Sequence, residues 1–198
     1  TDNTMPMDTT EIRNVSIQLL LRAGVPVNIV GGPGTGKSSY AEALGRTLKL
    51  QTEVVIASIR EPSDFAGLPA IVDGAVRFVP PVWAQRLLEA EGGFLFLDEI
   101  TQCSPATQGA LMRVILDREV GDLKLPEETL ILAACNPADV AAGGYDLAPP
   151  LANRFAWFEW ILDPRSAAEG MMKGWPDPDR VSVPGNWKSL VRLYETRV

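Results

Sequence analysis

Histidine is absent from the 198 residues, and cysteine occurs only at Cys103 and Cys135. Without imidazole there is no histidine general base, and most zinc ligand sets cannot be assembled. Two cysteines make no disulfide framework. Chemistry must therefore come from carboxylates, lysine, arginine, hydroxyls and bound metal. No apolar run approaches the roughly 18 residues needed to cross a bilayer. No secretory signal pattern opens the chain either, so the expectation is a soluble, cytoplasmic protein without membrane insertion. Basic residues are in deficit, with 18 Lys and Arg against 25 Asp and Glu. Grip on a nucleic-acid backbone needs clustered cations, so nucleic acid is not the expected partner. Apolar residues are not lacking. At 46% of the chain they sit near the globular average, which argues against disorder, and 198 residues are long enough for one well-buried core and the start of a second unit.

The most informative stretch is VNIVGGPGTGKS, residues 27–38. A short apolar run ends in a glycine-rich turn, and Lys37-Ser38 opens a segment with helical spacing at Tyr40, Ala41, Leu44 and Leu48. Gly31, Gly36, Lys37 and Ser38 satisfy G-x-x-x-x-G-K-[ST]. Successive N–H groups of Gly32, Pro33-flanked Gly34, Thr35, Gly36, Lys37, Ser38 and Ser39 would form an anion nest, reinforced by the helix N-terminus. Glycine is required where a Cβ would block positive φ or close approach to a ligand. Lys37 would reach the β- and γ-phosphates, and Ser38 would place its hydroxyl on Mg²⁺. A dinucleotide fingerprint is excluded, because the third glycine position after Gly32 and Gly34 is Lys37. The competing reading is a glycine-rich turn that binds nothing.

Periodicity predicts a helix over 11–23, a strand over 26–30, a helix over 37–48 and a second buried strand over 52–57. Prolines and glycines between 59 and 81 forbid a continuous helix. There, 70–72 and 75–79 flank Asp73-Gly74, a strong hairpin turn, although an ordinary surface loop is the alternative. A helix follows over 82–91, then the most apolar strand, 93–97, which ends in Asp98-Glu99. Ser104-Pro105 starts a helix ending near Asp117. A second short hairpin is expected over 120–125, a buried strand over 129–134, a loop over 139–145 and an aromatic strand over 155–160. Alternation of strands and helices gives an α/β sheet of about five mostly parallel strands. After 162 the texture becomes linker-like, with a short amphipathic helix over 187–198.

Phosphoryl transfer needs a metal, an oriented water and positive charge at the γ-phosphate. Asp98, at the carboxyl end of a buried strand, can hold Mg²⁺ through its water shell, and Glu99 can take a proton from the attacking water. Alone, the same pair could simply cap a strand.

Together, residues 31–38 and 94–99 resemble the Walker A and Walker B motifs of AAA+ ATPases. Asn136, closing TLILAACNP, resembles that family's sensor-one asparagine, which positions the lytic water. Arg154 in LANRF resembles the arginine finger, presented to a neighbouring subunit's nucleotide. EPSDFAGLP, FVPPVWAQ and NRF are most similar to the MoxR and dynein-related branch, which carries an insertion in the second helix and a hairpin before sensor one. The resemblance implies a P-loop NTPase three-layer sandwich over 1–162, with 163–198 a linker and at most the first helix of a C-terminal lid. Arg192 and Arg197 there carry no assignment. It implies Mg-dependent ATP hydrolysis by Glu99, Asn136, Arg154 and Lys37. ATP would be held by Gly32, Pro33, Gly34, Thr35, Gly36, Lys37, Ser38, Ser39 and Asp98, with Mg²⁺ on Ser38 and Asp98, partly through water. It further implies a ring, a hexamer first, that remodels a protein partner, which in the family often carries a von Willebrand factor A domain. The base would be read near 8–24. The rival from another class is an ATP-binding scaffold or switch with little turnover. A GTPase is disfavoured, since no N-K-x-D motif is present, and nothing points to a small-molecule kinase pocket.

Overall fold

The computed structural model describes residues 9–137, 140, 144–161, 168–169, 172 and 177–182. The expected helix over 187–198, with Arg192 and Arg197, lies outside the described residues, as do most of the linker and part of the loop over 139–145.

Helix α1 (Thr9–Arg22) leads into β1 (Val27–Val30), α2 (Lys37–Leu48) and β2 (Thr52–Ile56). Next come α3 (Ser63–Ala66), the hairpin β3 (Leu68–Val72) and β4 (Ala75–Val79), and α4 (Val82–Glu89). Then follow β5 (Gly93–Asp98), α5 (Pro105–Leu116), the short pair β6 (Glu119–Val120) and β7 (Leu123–Lys124), and β8 (Thr129–Cys135). Helix α6 (Pro149–Ala152) and β9 (Ala156–Glu159) complete the order. The main sheet runs β2-β5-β8-β1-β9, and every pair in it is parallel. Parallel strands need crossovers, and the helices supply them on both faces.

Strand alternation divides the core in two. Phe94, Phe96, Leu132 and Ala134 face one layer with Ile17, Leu21, Ala41 and Leu44 from α1 and α2. Leu95, Leu97, Ile131 and Ala133 face the other, against Ala84 and Leu87 of α4 and Leu111 and Val114 of α5. This is the three-layer α/β sandwich expected from the sequence. The helix bounds at 37–48 are met, and Ser104 caps α5 by accepting from the Thr107 N–H at 3.2 Å.

One expectation changes. The strand over 52–57 is not fully buried: it lies at the sheet edge, leaving Val54 41% and Ile56 39% exposed. A β-branched run is favoured in edge and central strands alike, so its composition did not separate them. The hairpin reading of 70–79 holds, and both turn residues take positive φ, Asp73 at 51° and Gly74 at 77°. That is the geometry of the primed turns that match strand twist. The second hairpin is bonded to the first: the Asp122 N–H donates to the Phe78 carbonyl and the Phe78 N–H donates to Asp122 Oδ2, both at 3.0 Å.

Ser104→Ala removes the α5 cap without touching either core layer. A loss of about 1 kcal/mol in unfolding free energy is expected in urea denaturation, with an unchanged m value.

Candidate functional site

The site lies at the carboxyl ends of the central strands, where β1, β5 and β8 deliver their last residues. After Val30 the chain turns back on itself through Gly34 (φ 73°) and Gly36 (φ 81°), conformations that favour glycine. Gly36 is the N-cap of α2 and brings no side-chain cap. The first-turn N–H groups of α2 are thus left for another acceptor.

Lys37 folds back over this loop. Its Nζ donates to the carbonyls of Gly31 (2.7 Å) and Gly32 (2.8 Å) and to Asn136 Oδ1 (3.0 Å). All three bonds go to neutral acceptors, although the residue is only 8% exposed. Burial lowers the Lys37 ammonium from its ordinary value, and the fields of Asp98, Cys135 and Glu99 oppose that shift. A buried cation with neutral partners attracts an anion. Because Lys37 can only donate, the Asn136 oxygen must face it. The Asn136 amide N–H₂ is left without a protein acceptor among the described residues.

Ser38 Oγ donates to Asp98 Oδ2 at 2.6 Å. The two oxygens form a hard donor set of the kind magnesium takes, with room for water to complete the shell. Next to Asp98, Glu99 sits at φ 57°, an uncommon conformation for a residue with a Cβ. Its N–H donates to Asp98 Oδ1 at 2.9 Å, its carbonyl accepts from the Gln102 N–H, and Ser58 Oγ donates to Glu99 Oε2.

Pro33, Gly34, Thr35, Gly36, Lys37, Ser38, Ser39, Asp98, Glu99 and Asn136 line one cleft of about 340 Å³, with Cys135 in its wall. The sequence-predicted residues therefore meet, with two exceptions. Gly32 lies outside the lining, and its carbonyl accepts from Lys37 Nζ and from Thr35 Oγ1. Arg154, between α6 and β9, is exposed, does not line the cleft, and its guanidinium has no partner among the described residues.

Sequence reasoning missed Ser58, in the turn after β2 and 41 residues from its carboxylate partner, because a lone serine between Ala57 and Ile59 carries no pattern. It also missed Cys135 as a wall of the cleft. Burial pushes that thiol up, while the Asn28 amide donating to Sγ (3.3 Å) and the Lys37 charge pull the other way.

The chain is 33% identical over 133 residues to the transcriptional regulatory protein ZraR of Escherichia coli (strain K12), covering 64% of this chain and 30% of that protein. It is 32% identical over 124 residues to a Nif-specific regulatory protein of Rhodobacter capsulatus, covering 57% and 21%. The chain thus spans less than a third of the length of these relatives. Among solved structures, a protein of Cytophaga hutchinsonii assigned as an ATPase superposes with a TM-score of 0.59 at 20% identity, covering 96% of this chain and 62% of that one. NtrX from Brucella abortus superposes at 0.52 and 21% identity, covering 80% and 37%. Those two likenesses speak for the fold. The family model of the AAA domain, dynein-related subfamily, matches residues 26–155, from the residue before β1 to the residue before β9. With its phosphate loop, its acidic strand end and this match over most of its length, the chain belongs to the dynein-related subfamily of AAA domains.

Proposed function

We propose that this chain is a Mg-dependent ATPase domain of MoxR-like type, with residues 1–162 as the nucleotide-binding unit. The observation that carries the reading is the convergence of Lys37, Ser38, Asp98, Glu99 and Asn136 on a single cleft. The loop N–H groups and Lys37 would receive the triphosphate, replacing the carbonyl partners of Nζ with phosphate oxygens. Ser38 and Asp98 would hold Mg²⁺, Asp98 partly through water, and the bound metal would neutralise charge on the β- and γ-oxygens. Asn136, with its oxygen on Lys37 and its amide N–H₂ without an acceptor among the described residues, is suited to align a water. Glu99 is suited to accept that water's proton, with Ser58 fixing the direction of its carboxylate.

Arg154 supports assembly. An exposed guanidinium with no partner among the described residues, away from the cleft of its own chain, is suited to complete a neighbour's site in a ring, six-membered by family resemblance. Such an arginine accelerates phosphoryl transfer by roughly 10³–10⁵. The β3–β4 hairpin supports a protein partner. Leu68, Ile71, Val76 and Phe78 are all exposed on it, Ile71 at 81%, an apolar surface of the kind that marks protein contacts. The partner would be a polypeptide to be remodelled, with a von Willebrand factor A domain as the first one to try.

Turnover of Mg·ATP is expected to rise per subunit with protein concentration, and Glu99→Gln to lower it by about 10²–10⁴ while ATP still binds. Binding without turnover in either protein would instead make the chain a nucleotide-dependent scaffold. Ser58→Ala is expected to lower kcat by about tenfold and leave KM within about twofold, because the carboxylate loses its aim and the phosphate contacts remain. Steady-state phosphate release across an ATP series measures both.

A further inference from the structure

Trp160 belongs to none of the motifs above, yet it grips the phosphate loop at two points. Its backbone N–H donates to the Val30 carbonyl at 2.6 Å, extending the β1–β9 pairing by one residue. There it packs on Gly31: a Cβ at Gly31 would lie 2.5 Å from the Trp160 carbonyl oxygen and 2.9 Å from its Cβ. Its indole Nε1–H donates to the carbonyl of Thr35 at 2.9 Å, farther along the same loop. The indole is itself fixed. The Tyr40 ring lies 4.6 Å away between centroids, and the Arg13 guanidinium stands 4.2 Å from the ring centre. Tyr40 is in turn held by its hydroxyl, which donates to Asn14 Oδ1 at 2.9 Å. Trp160 is only 8% exposed, so little solvent competes for its N–H.

The consequence lies in the peptide plane. In a trans peptide the C=O of Thr35 and the N–H of Gly36 point in opposite directions. Anchoring the Thr35 oxygen on the indole turns the Gly36 N–H away from Trp160. We propose that Trp160 is a positioning residue for nucleotide binding, holding the Thr35–Gly36 peptide so that the Gly36 N–H presents to a phosphate. This rests on the reading that the loop holds nucleotide phosphates. It adds a residue from the far edge of the sheet, beyond the segment matched by the family model. It also shows why position 31 is glycine: a side chain there would run into the backbone carbonyl and Cβ of Trp160.

Trp160→Phe keeps an aromatic ring against Tyr40 and Arg13 and deletes the N–H. Tyr40→Phe loosens the same cluster without touching the Thr35 carbonyl. Calorimetric titration with ADP and with ATP is expected to show dissociation constants raised about five- to tenfold in Trp160→Phe, the worth of one net hydrogen bond. In Tyr40→Phe they should stay within about twofold of the unaltered chain. The thermal midpoint of Trp160→Phe should stay within about 3 °C of the unaltered chain. Unchanged affinity in Trp160→Phe, or an equal loss in both variants, overturns the proposal. Should Trp160→Phe fail to fold, hydrogen exchange of the Trp160 indole N–H in the unaltered chain decides by NMR. Saturation with ADP is expected to slow it at least about fivefold, since the bound loop opens less often, and no slowing overturns the proposal. An unaltered chain that binds neither nucleotide overturns the loop reading itself, which is a different failure from a variant that binds normally.

Discussion

The loop between β1 and α2 must bend back sharply enough for a lysine at its end to reach carbonyls at its beginning. Gly34 and Gly36 supply the left-handed backbone, and Lys37 closes the loop by bonding to Gly31 and Gly32. That closure leaves a buried cation whose hydrogen-bond partners are all neutral. It also leaves a helix start whose first N–H groups have no side-chain cap. Both conditions are tolerable if an anion takes part in the working state, and both raise the free energy of the loop without one. The remaining parts of the site are arranged around this cation and the open helix start.

The sheet provides the arrangement. With β1 between β8 and β9, and β5 beyond β8, the ends of β5 and β8 bring Asp98, Glu99 and Asn136 toward the loop that β1 feeds. Lys37 and Asn136 are 99 residues apart in sequence and 3.0 Å apart in space. Ser38 and Asp98, 60 residues apart, meet at 2.6 Å. The two apolar layers fix these approaches: Phe94 and Phe96 lock one face of β5 while Leu95 and Leu97 lock the other. A strand buried on both faces has little freedom to shift, so its terminal carboxylates are held firmly. The left-handed backbone at Glu99 is tolerated there because its N–H, its carbonyl and its side chain are each bonded.

Much of this was legible in the sequence, for identifiable reasons. The glycine spacing of residues 31–36 reports local backbone demands, and Ser104-Pro105 or Asp73-Gly74 report local cap and turn chemistry, so each survived folding unchanged. Asp98 and Glu99 stood out because an apolar strand ended in two carboxylates. Pairings between distant, unpatterned residues were not legible. Ser58 finds Glu99, Asp122 finds Phe78, and the Trp160 indole finds Thr35 125 residues away, each through tertiary placement alone. The edge position of β2 was hidden for a related reason: Val54, Val55 and Ile56 read as a buried run, and only the strand order reveals which side lacks a neighbour.

The most direct measurement is equilibrium dialysis of Mg·ATP against the chain and against Lys37→Ala. If the buried ammonium with neutral partners is the seat of the phosphates, the unaltered chain binds one ATP. Removing the charge then weakens binding by at least about a hundredfold, on the order of 3 kcal/mol. Equal binding by the two proteins, or none by the unaltered chain, would contradict a phosphate site organised around Lys37.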